Sequence, residues 1–215
     1  MKKNYIRHIQ TYGDYFIEFK RTLDKEVLKK IYFVFELIMS VQDVPITFLK
    51  HLEDGLYEIR VSQGGNAYRI FCCFDEGNLV ILFNAFQKKS QKTPQSLWKR
   101  QKRLWNNTFR KRRKAMEKTK HMNLTPIEDL SAEDFGAPGT TERNAYDMEC
   151  DAFIIGEQLK AERAKAGLTQ EQLAEKIGTK KSFISRIENG RADIQISTLV
   201  KLFNGLGRQV SVRVV

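Results

Sequence analysis

The sequence predicts an α+β domain, two helices on an antiparallel sheet, followed by an all-α helix-turn-helix domain that ends in a short C-terminal strand. Two pattern changes and one distribution of charge predict it. Apolar residues recur at helical spacing as far as Val41, then at the two-residue period of strands between Leu56 and Gln87. From Leu168 to Gly190 the string LTQEQLAEKIGTKKSFISRIENG holds two short helical patterns broken at Gly178 and Thr179. Charge falls into three blocks: residues 1–115 hold 23 Lys/Arg against 11 Asp/Glu, residues 117–151 hold 3 against 9, and residues 152–215 hold 11 against 6. The order is basic domain, acidic connector, basic domain.

After a short extended start, Asp14 to Leu23 and Lys25 to Val41 have helical spacing, with Asp24 as a cap between them. Phe16, Phe19, Leu23, Leu28, Ile31, Val34, Phe35 and Ile38 give these helices an apolar stripe. Leu56 to Ser62, Ala67 to Asp75 and Leu79 to Gln87 come next as strands rich in Tyr, Ile, Val and Phe. The breaks between them, Gly64-Gly65-Asn66 and Glu76-Gly77-Asn78, have hairpin chemistry.

Alternation along the first of these strands puts Glu58 and Arg60 on the face opposite Tyr57, Ile59 and Val61. Arg69, Phe71 and Cys73 share a face in the next. With helices over Tyr57 and Ile59, Arg60 and Arg69 converge on the open side. The third strand runs into FQKKSQKTP, which adds Lys88, Lys89 and Lys92. Such a cluster can clamp a phosphate backbone and stabilise charge developing on a phosphoryl group. No His, Glu or Asp stands out as a general base, and Tyr68 points away from Arg69.

In the second domain Leu173, Ala174 and Ile177 line one helix face, and Phe183, Ile184 and Ile187 line the next. Thr169 and Gln172 have capping-box spacing, and Thr179 is expected to cap the second helix. Flanking helices are expected at Ile154 to Ala166 and Ile196 to Leu206. Lys180, Lys181, Ser182, Ser185, Arg186 and Asn189 face outward, polar or basic groups that reach base edges or phosphates in a major groove. With Thr169, Gln170, Thr179 and Arg191 they make up the expected DNA-binding set.

The TQEQLA and ISRIENG strings resemble the Cro/C1-type (XRE) helix-turn-helix family over roughly residues 153 to 206. GLYEIRVSQGGNAYRIFCCFDEGNLVILFNAFQKKSQKTP resembles the RelE/HigB toxins of the RelE/ParE superfamily, in particular their phage-derived branch, over about residues 4 to 96. That likeness implies a small basic, metal-independent endoribonuclease that cleaves messenger RNA on the ribosome. It also implies that Arg60, Arg69, Lys88, Lys89 and Lys92 bind phosphate or stabilise the transition state. The related ParE branch poisons DNA gyrase instead.

Ser96 to Lys114 departs from the toxin pattern, with nine Lys/Arg and no acid. Its tryptophans either pack on the sheet while the basic groups stay wet, or stack on RNA bases beside a basic track. Met116 opens MEKTKHMNLTPIEDL, which would serve as the start of a separate protein. Pro126, Gly136, Pro138 and Gly139 mark the acidic stretch as a linker or partly ordered arm. GTTERNAYDMECDAFIIGEQLKAERAKAGLTQEQ resembles the start of HigA-type antitoxins. The expected organisation is a toxin domain at 1–96, a basic amphipathic helix at 97–115, an acidic linker at 116–152 and the DNA-binding domain at 153–215. Gln209 to Val215, QVSVRVV, alternates as a strand that pairs with its twin in a dimer.

Net charge of +11 and a pI near 9.6 favour polyanionic partners. Three cysteines, two of them adjacent at Cys72 and Cys73, make no disulfide framework. No apolar run approaches the roughly 20 residues of a membrane span, so no membrane contact and a cytoplasmic location are expected. His8, His51 and His121 lack ligand spacing; neither metal nor cofactor is expected. The expected partners are operator DNA, messenger RNA on the ribosome and a second copy through the C-terminal domain. The leading expectation is a toxin and its antitoxin in one chain, with the toxin restrained in cis and the antitoxin part repressing transcription. A regulator with an inactive, partner-binding toxin-like domain and a gyrase poison are the alternatives.

Overall fold

The computed structural model describes residues 5–53, 55–75, 79–88, 99, 103 and 124–212. The chain divides into two compact units, Met1–Gly136 and Ala137–Val215.

The first unit contains strands β1 (His8–Tyr12), β2 (Leu49–His51), β3 (Leu56–Gln63), β4 (Asn66–Asp75), β5 (Leu79–Lys88) and β6 (Leu124–Pro126). Helices α1 (Tyr15–Lys20) and α2 (Lys25–Ser40) lie between β1 and β2, and α3 (Ile127–Phe135) comes after β6. The sheet order is β2-β3-β4-β5-β1-β6. The hairpin expected from Gly64-Gly65 is present, with both glycines at positive φ (57° and 77°), as a two-residue turn of that hand requires. The sheet is mixed, however: β1 runs parallel to β5, with His8 opposite Leu79 and Thr11 opposite Leu82. A parallel neighbour needs a long crossover, here α1 through β4, and no local turn signal announces it.

Helix α2 buries Leu28, Ile31, Val34, Phe35 and Ile38, as its stripe predicts, together with Tyr32 and Phe33. Asp24 occupies its N-cap position without a side-chain cap bond. The helix has no basic residue in its last turn. Arg7 supplies one from outside, donating from Nη1 to the carbonyls of Ile38 (3.0 Å) and Val41 (2.6 Å) and from Nη2 to that of Gln42 (2.7 Å). On the sheet face away from Ile59 and Ile70, Leu56, Phe71 and Cys73 form a second small core with Tyr12, Leu52, Phe86 and Leu124 against it.

The connector expected at 116–152 takes a different form wherever it is described. Leu124–Pro126 adds antiparallel to β1 as an edge strand, and α3 buries Ile127, Leu130 and Phe135 in the first unit. Apolar positions spaced three to five apart among the acids gave this segment a face to bury, which its net charge concealed.

The second unit consists of α4 (Thr141–Lys165), α5 (Gln170–Ile177), α6 (Lys181–Glu188) and α7 (Ile196–Gly205). Helix α4 starts at Thr141 instead of near Ile154, with the Thr140 side chain accepting from the Arg143 amide. Leu159, Leu173, Ala174, Ile184, Ile187 and Leu202 form the core. Thr169 and Gln172 make the full capping box of α5, and Gly178 ends that helix at φ 71°. Thr179 does not cap α6. Its amide donates to the Ala174 carbonyl and closes α5, so α6 starts from Lys180 without a side-chain cap. Residues 209–212 do not form the expected strand, because a single strand with no neighbour in its own chain has no ladder to join. Residues 213–215 lie outside the described residues.

Cys72, Cys73 and Cys150 are buried and joined in no disulfide. Among the described residues no helix is long and apolar enough to cross a membrane, and no cluster of His, Cys, Asp or Glu could hold a metal ion.

Candidate nucleic-acid interface

The β3–β4 register makes Arg60 and Arg69 Cα partners, so both guanidinium groups leave the same face at the same level of the sheet. Two like charges in that position repel. The third member of the group relieves the repulsion: Arg60 Nε donates to Glu58 Oε2 at 2.8 Å, and Arg69 Nε lies 3.4 Å from Glu58 Oε1. Glu58 is 5% exposed, whereas the Arg60 side chain keeps 30% and that of Arg69 14%. One buried carboxylate thus positions two partly exposed guanidinium groups. Burial pulls Arg69 below the ordinary arginine pKa; Glu58 opposes that shift and Arg60 adds to it. Arg69 also donates to the Tyr68 carbonyl at 2.8 Å, which fixes its plane.

Lys88 is the last residue of β5 and pairs with Ala67, two residues along β4 from Arg69. Its register position places it on the arginine face, beyond Phe86, which pairs with Arg69. Lys89 and Lys92 lie outside the described residues. Tyr68 is buried on the opposite face, as alternation requires. Of the basic run after β5, Lys99 and Arg103 are described; both are helical and exposed.

Glu58 is the member of this group that sequence reasoning missed. Its signal was present: two residues before Arg60 on one face, and diagonal to Arg69 once the hairpin register is drawn. The open face divides at this point. Toward Leu56, Phe71 and Cys73 it is apolar and buried, and toward Arg60, Arg69 and Lys88 it is cationic. A planar pair of guanidinium groups beside an ammonium suits the oxygens of a phosphodiester.

In the second unit Lys180, Lys181, Ser182, Arg186, Asn189 and Arg191 are exposed and Ser185 is half-buried, so α6 presents them along one open side. Arg186 lies over the Phe183 ring at 5.8 Å, and Asn189 Nδ2 donates to the Ser185 carbonyl at 2.6 Å. Lys181 Nζ lies 3.5 Å from Glu171, an exposed pair that an anion can displace at little cost. Thr169 and Gln170 have structural roles: Thr169 caps α5, and Gln170 Nε2 donates to Glu188 Oε2 at 2.7 Å. Glu188 is 3% exposed and also accepts from Arg163 Nη2 at 2.9 Å, while Arg163 Nη1 reaches the Leu168 carbonyl at 2.7 Å. The Glu188 hydrogen bond raises the Arg163 pKa, burial opposing it. That network joins α4, α5 and the end of α6 and sets the angle at which α6 is offered.

Residues 18–106 match the family described as Phage derived protein Gp49-like, and residues 159–212 match the helix-turn-helix family. The chain thus carries a phage-derived Gp49-like domain ahead of a Cro/C1-type helix-turn-helix domain. The second is similar to the immunity repressor protein of Bacillus phage phi105, 42% identical over 59 residues, 27% of this chain and 41% of that protein. It is also similar to an uncharacterized HTH-type transcriptional regulator of Haemophilus influenzae, 38% identical over 55 residues, 26% of this chain and 56% of the relative. The chain spans about two fifths to just over half of the lengths of these curated relatives.

Proposed function

We propose that the chain joins an RNA-cleaving, translation-inhibiting toxin domain to an antitoxin-like domain that binds operator DNA and represses transcription. The observation that carries the toxin half is the arginine pair: Arg60 and Arg69 held side by side by the buried Glu58, with Lys88 on the same face. In this reading the two guanidinium groups hold the scissile phosphate and stabilise the negative charge that gathers on it. Positioning of the ribose hydroxyl supplies the rest of the rate, with no metal and no cofactor. Lys89 and Lys92, which follow Lys88 in the sequence, are assigned the same role. The second unit reads DNA through Lys180, Lys181, Ser182, Ser185, Arg186 and Asn189, as a homodimer on a two-fold site. Its likeness to a phage repressor and to a transcriptional regulator supports that half. Attraction between the basic first block and the acidic segment after Met116 restrains the toxin in the resting chain.

The test is cleavage of messenger RNA in a translating extract by residues 1–115, which lack the acidic segment, and by the full chain. Cleavage by the shorter form, lost in Arg60→Ala/Arg69→Ala and reduced in the full chain, is the expected result. Equal cleavage by both lengths would remove the restraint in cis.

One observation favours a second reading. Both arginines already bind a carboxylate, that of Glu58. That arrangement suits a toxin-like domain kept for binding partners, inside a chain whose work is transcription regulation. RNA cleavage absent at every length, with operator binding intact, would select it. A supercoiling assay separates both from gyrase poisoning.

A further inference from the structure

The first unit takes its sixth strand and third helix from the segment after Met116. A three-residue strand and a nine-residue helix do not hold their shape alone, so the body they lie on imposes their order. Leu124–Pro126 adds to the outer edge of β1, with Gln10, Thr11 and Tyr12 opposite Pro126, Thr125 and Leu124. Leu124 reaches the small core of Leu56, Phe71 and Cys73. At the far end of the segment, Asp134 accepts from Lys20 Nζ at 2.8 Å and from Tyr32 Oη at 2.8 Å. Phe135 meets the Tyr32 ring edge-on at 5.8 Å, and the Lys25 ammonium lies over it at 5.8 Å. Main-chain pairing along an edge, with a charged and an aromatic anchor at one end, is how folded domains take up extended peptides.

The chain immediately after the segment is built to turn. Gly136 and Gly139 have φ of 91° and 90°, with Pro138 between them, before Thr140 caps α4. An element joined through such a hinge, and held by contacts that any identical chain reproduces, exchanges between copies at little cost. We propose that the outer edge of β1 together with Lys20, Lys25 and Tyr32 is a receptor for the Leu124–Phe135 segment of a second copy of this chain. A product started at Met116 carries the same segment and fits the same receptor. The inference does not depend on what the arginine pair does, and its test reads association alone.

Two full-length proteins decide it, one carrying Gln10→Cys and the other Pro126→Cys, mixed under mild oxidation. Neither carries both introduced cysteines of the β1–β6 pair, and the native cysteines are buried. Exchange yields a cross-chain disulfide. Asp134→Lys in the second chain lowers its yield several-fold, and Lys20→Glu in the first restores it. A single chain carrying both cysteines measures whether the pair closes at all. Closure within that chain and no cross-chain product in the mixture would overturn the proposal, as would a cross-chain product indifferent to both charge reversals. Failure of the single chain to close would overturn it too, by removing the β1–β6 pairing on which it stands.

Discussion

Arg60 and Arg69 face each other across the β3–β4 ladder, and the carboxylate of Glu58 contacts both. Glu58→Gln keeps the shape and removes the charge that makes the pair tolerable. Breaking a buried ion pair by removing one partner costs about 3 kcal/mol at the lower end of its range, which suits a site whose arginines retain some water. The expected result is a lower urea midpoint for the first unit with an unchanged slope. An unmoved midpoint would show that solvent already screens the two cations from one another.

For the second unit, Arg186→Ala is expected to weaken binding by roughly 1–3 kcal/mol at one base position if it reads a guanine. Lys180→Ala and Lys181→Ala are expected to remove phosphate contacts instead. Each is expected to lower affinity for all sequences alike and to reduce the slope of log affinity against log salt by about 1. Titrations at several salt concentrations separate the two behaviours.

Gly156 sits where α4 crosses the end of α6, and a Cβ there would run into the carbonyl oxygen of Ile187. That obstacle is backbone, so it cannot rotate aside. Gly156→Ala is expected to destabilise the second unit by about 1–3 kcal/mol, seen as a lower Tm. The same change is expected to weaken DNA binding, because α6 must move away from α4 to admit the methyl group.

Glu162 makes a pH prediction with a definite sign. Its hydrogen bond from Lys165 lowers its pKa below 4.5; burial opposes the shift, and Arg208 adds to the lowering through a hydrogen bond and its charge. A carboxylate with a depressed folded-state pKa contributes stability that is fully present above its unfolded value and is lost as the pH falls through the folded one. The second unit is therefore expected to lose stability in acid from about pH 4.5 downward. Glu162→Gln is expected to be less stable than the parent at pH 7 and closer to it at pH 3. Parallel acid-unfolding curves would contradict this.

Legibility tracked sequence distance. Strands β3, β4 and β5 fell within a residue of where alternation placed them, because each borders a Gly-containing break in the sequence and pairs with its sequence neighbour. The helix-turn-helix was legible for the same reason, as its caps and core positions lie within one short string. Strands β1 and β6 were not, since their partners lie far along the chain and five- and three-residue strands carry little pattern. The first half of α4 was hidden by its composition: TERNAYDMEC reads as polar connector, although Arg143, Tyr146 and Cys150 share a buried face at helical spacing. In the candidate site, Arg60 and Arg69 were legible from alternation and the hairpin. The contact that Glu58 makes with both needed three dimensions, since a carboxylate two residues from an arginine on an open face is ordinarily a wet pair.

The parallel pairing of β1 with β5 has a consequence for how the molecule is made. A ribosome delivers His8–Tyr12 long before Leu79–Leu82 exist, and at ~5–20 residues per second the first strand waits several seconds for its partner. Leu124–Pro126 emerges later still. Nascent chains therefore leave one side of β1 open until Leu79–Leu82 has been made and the other until Leu124–Pro126 has, and the first unit matures only after its own edge-covering segment has been synthesised.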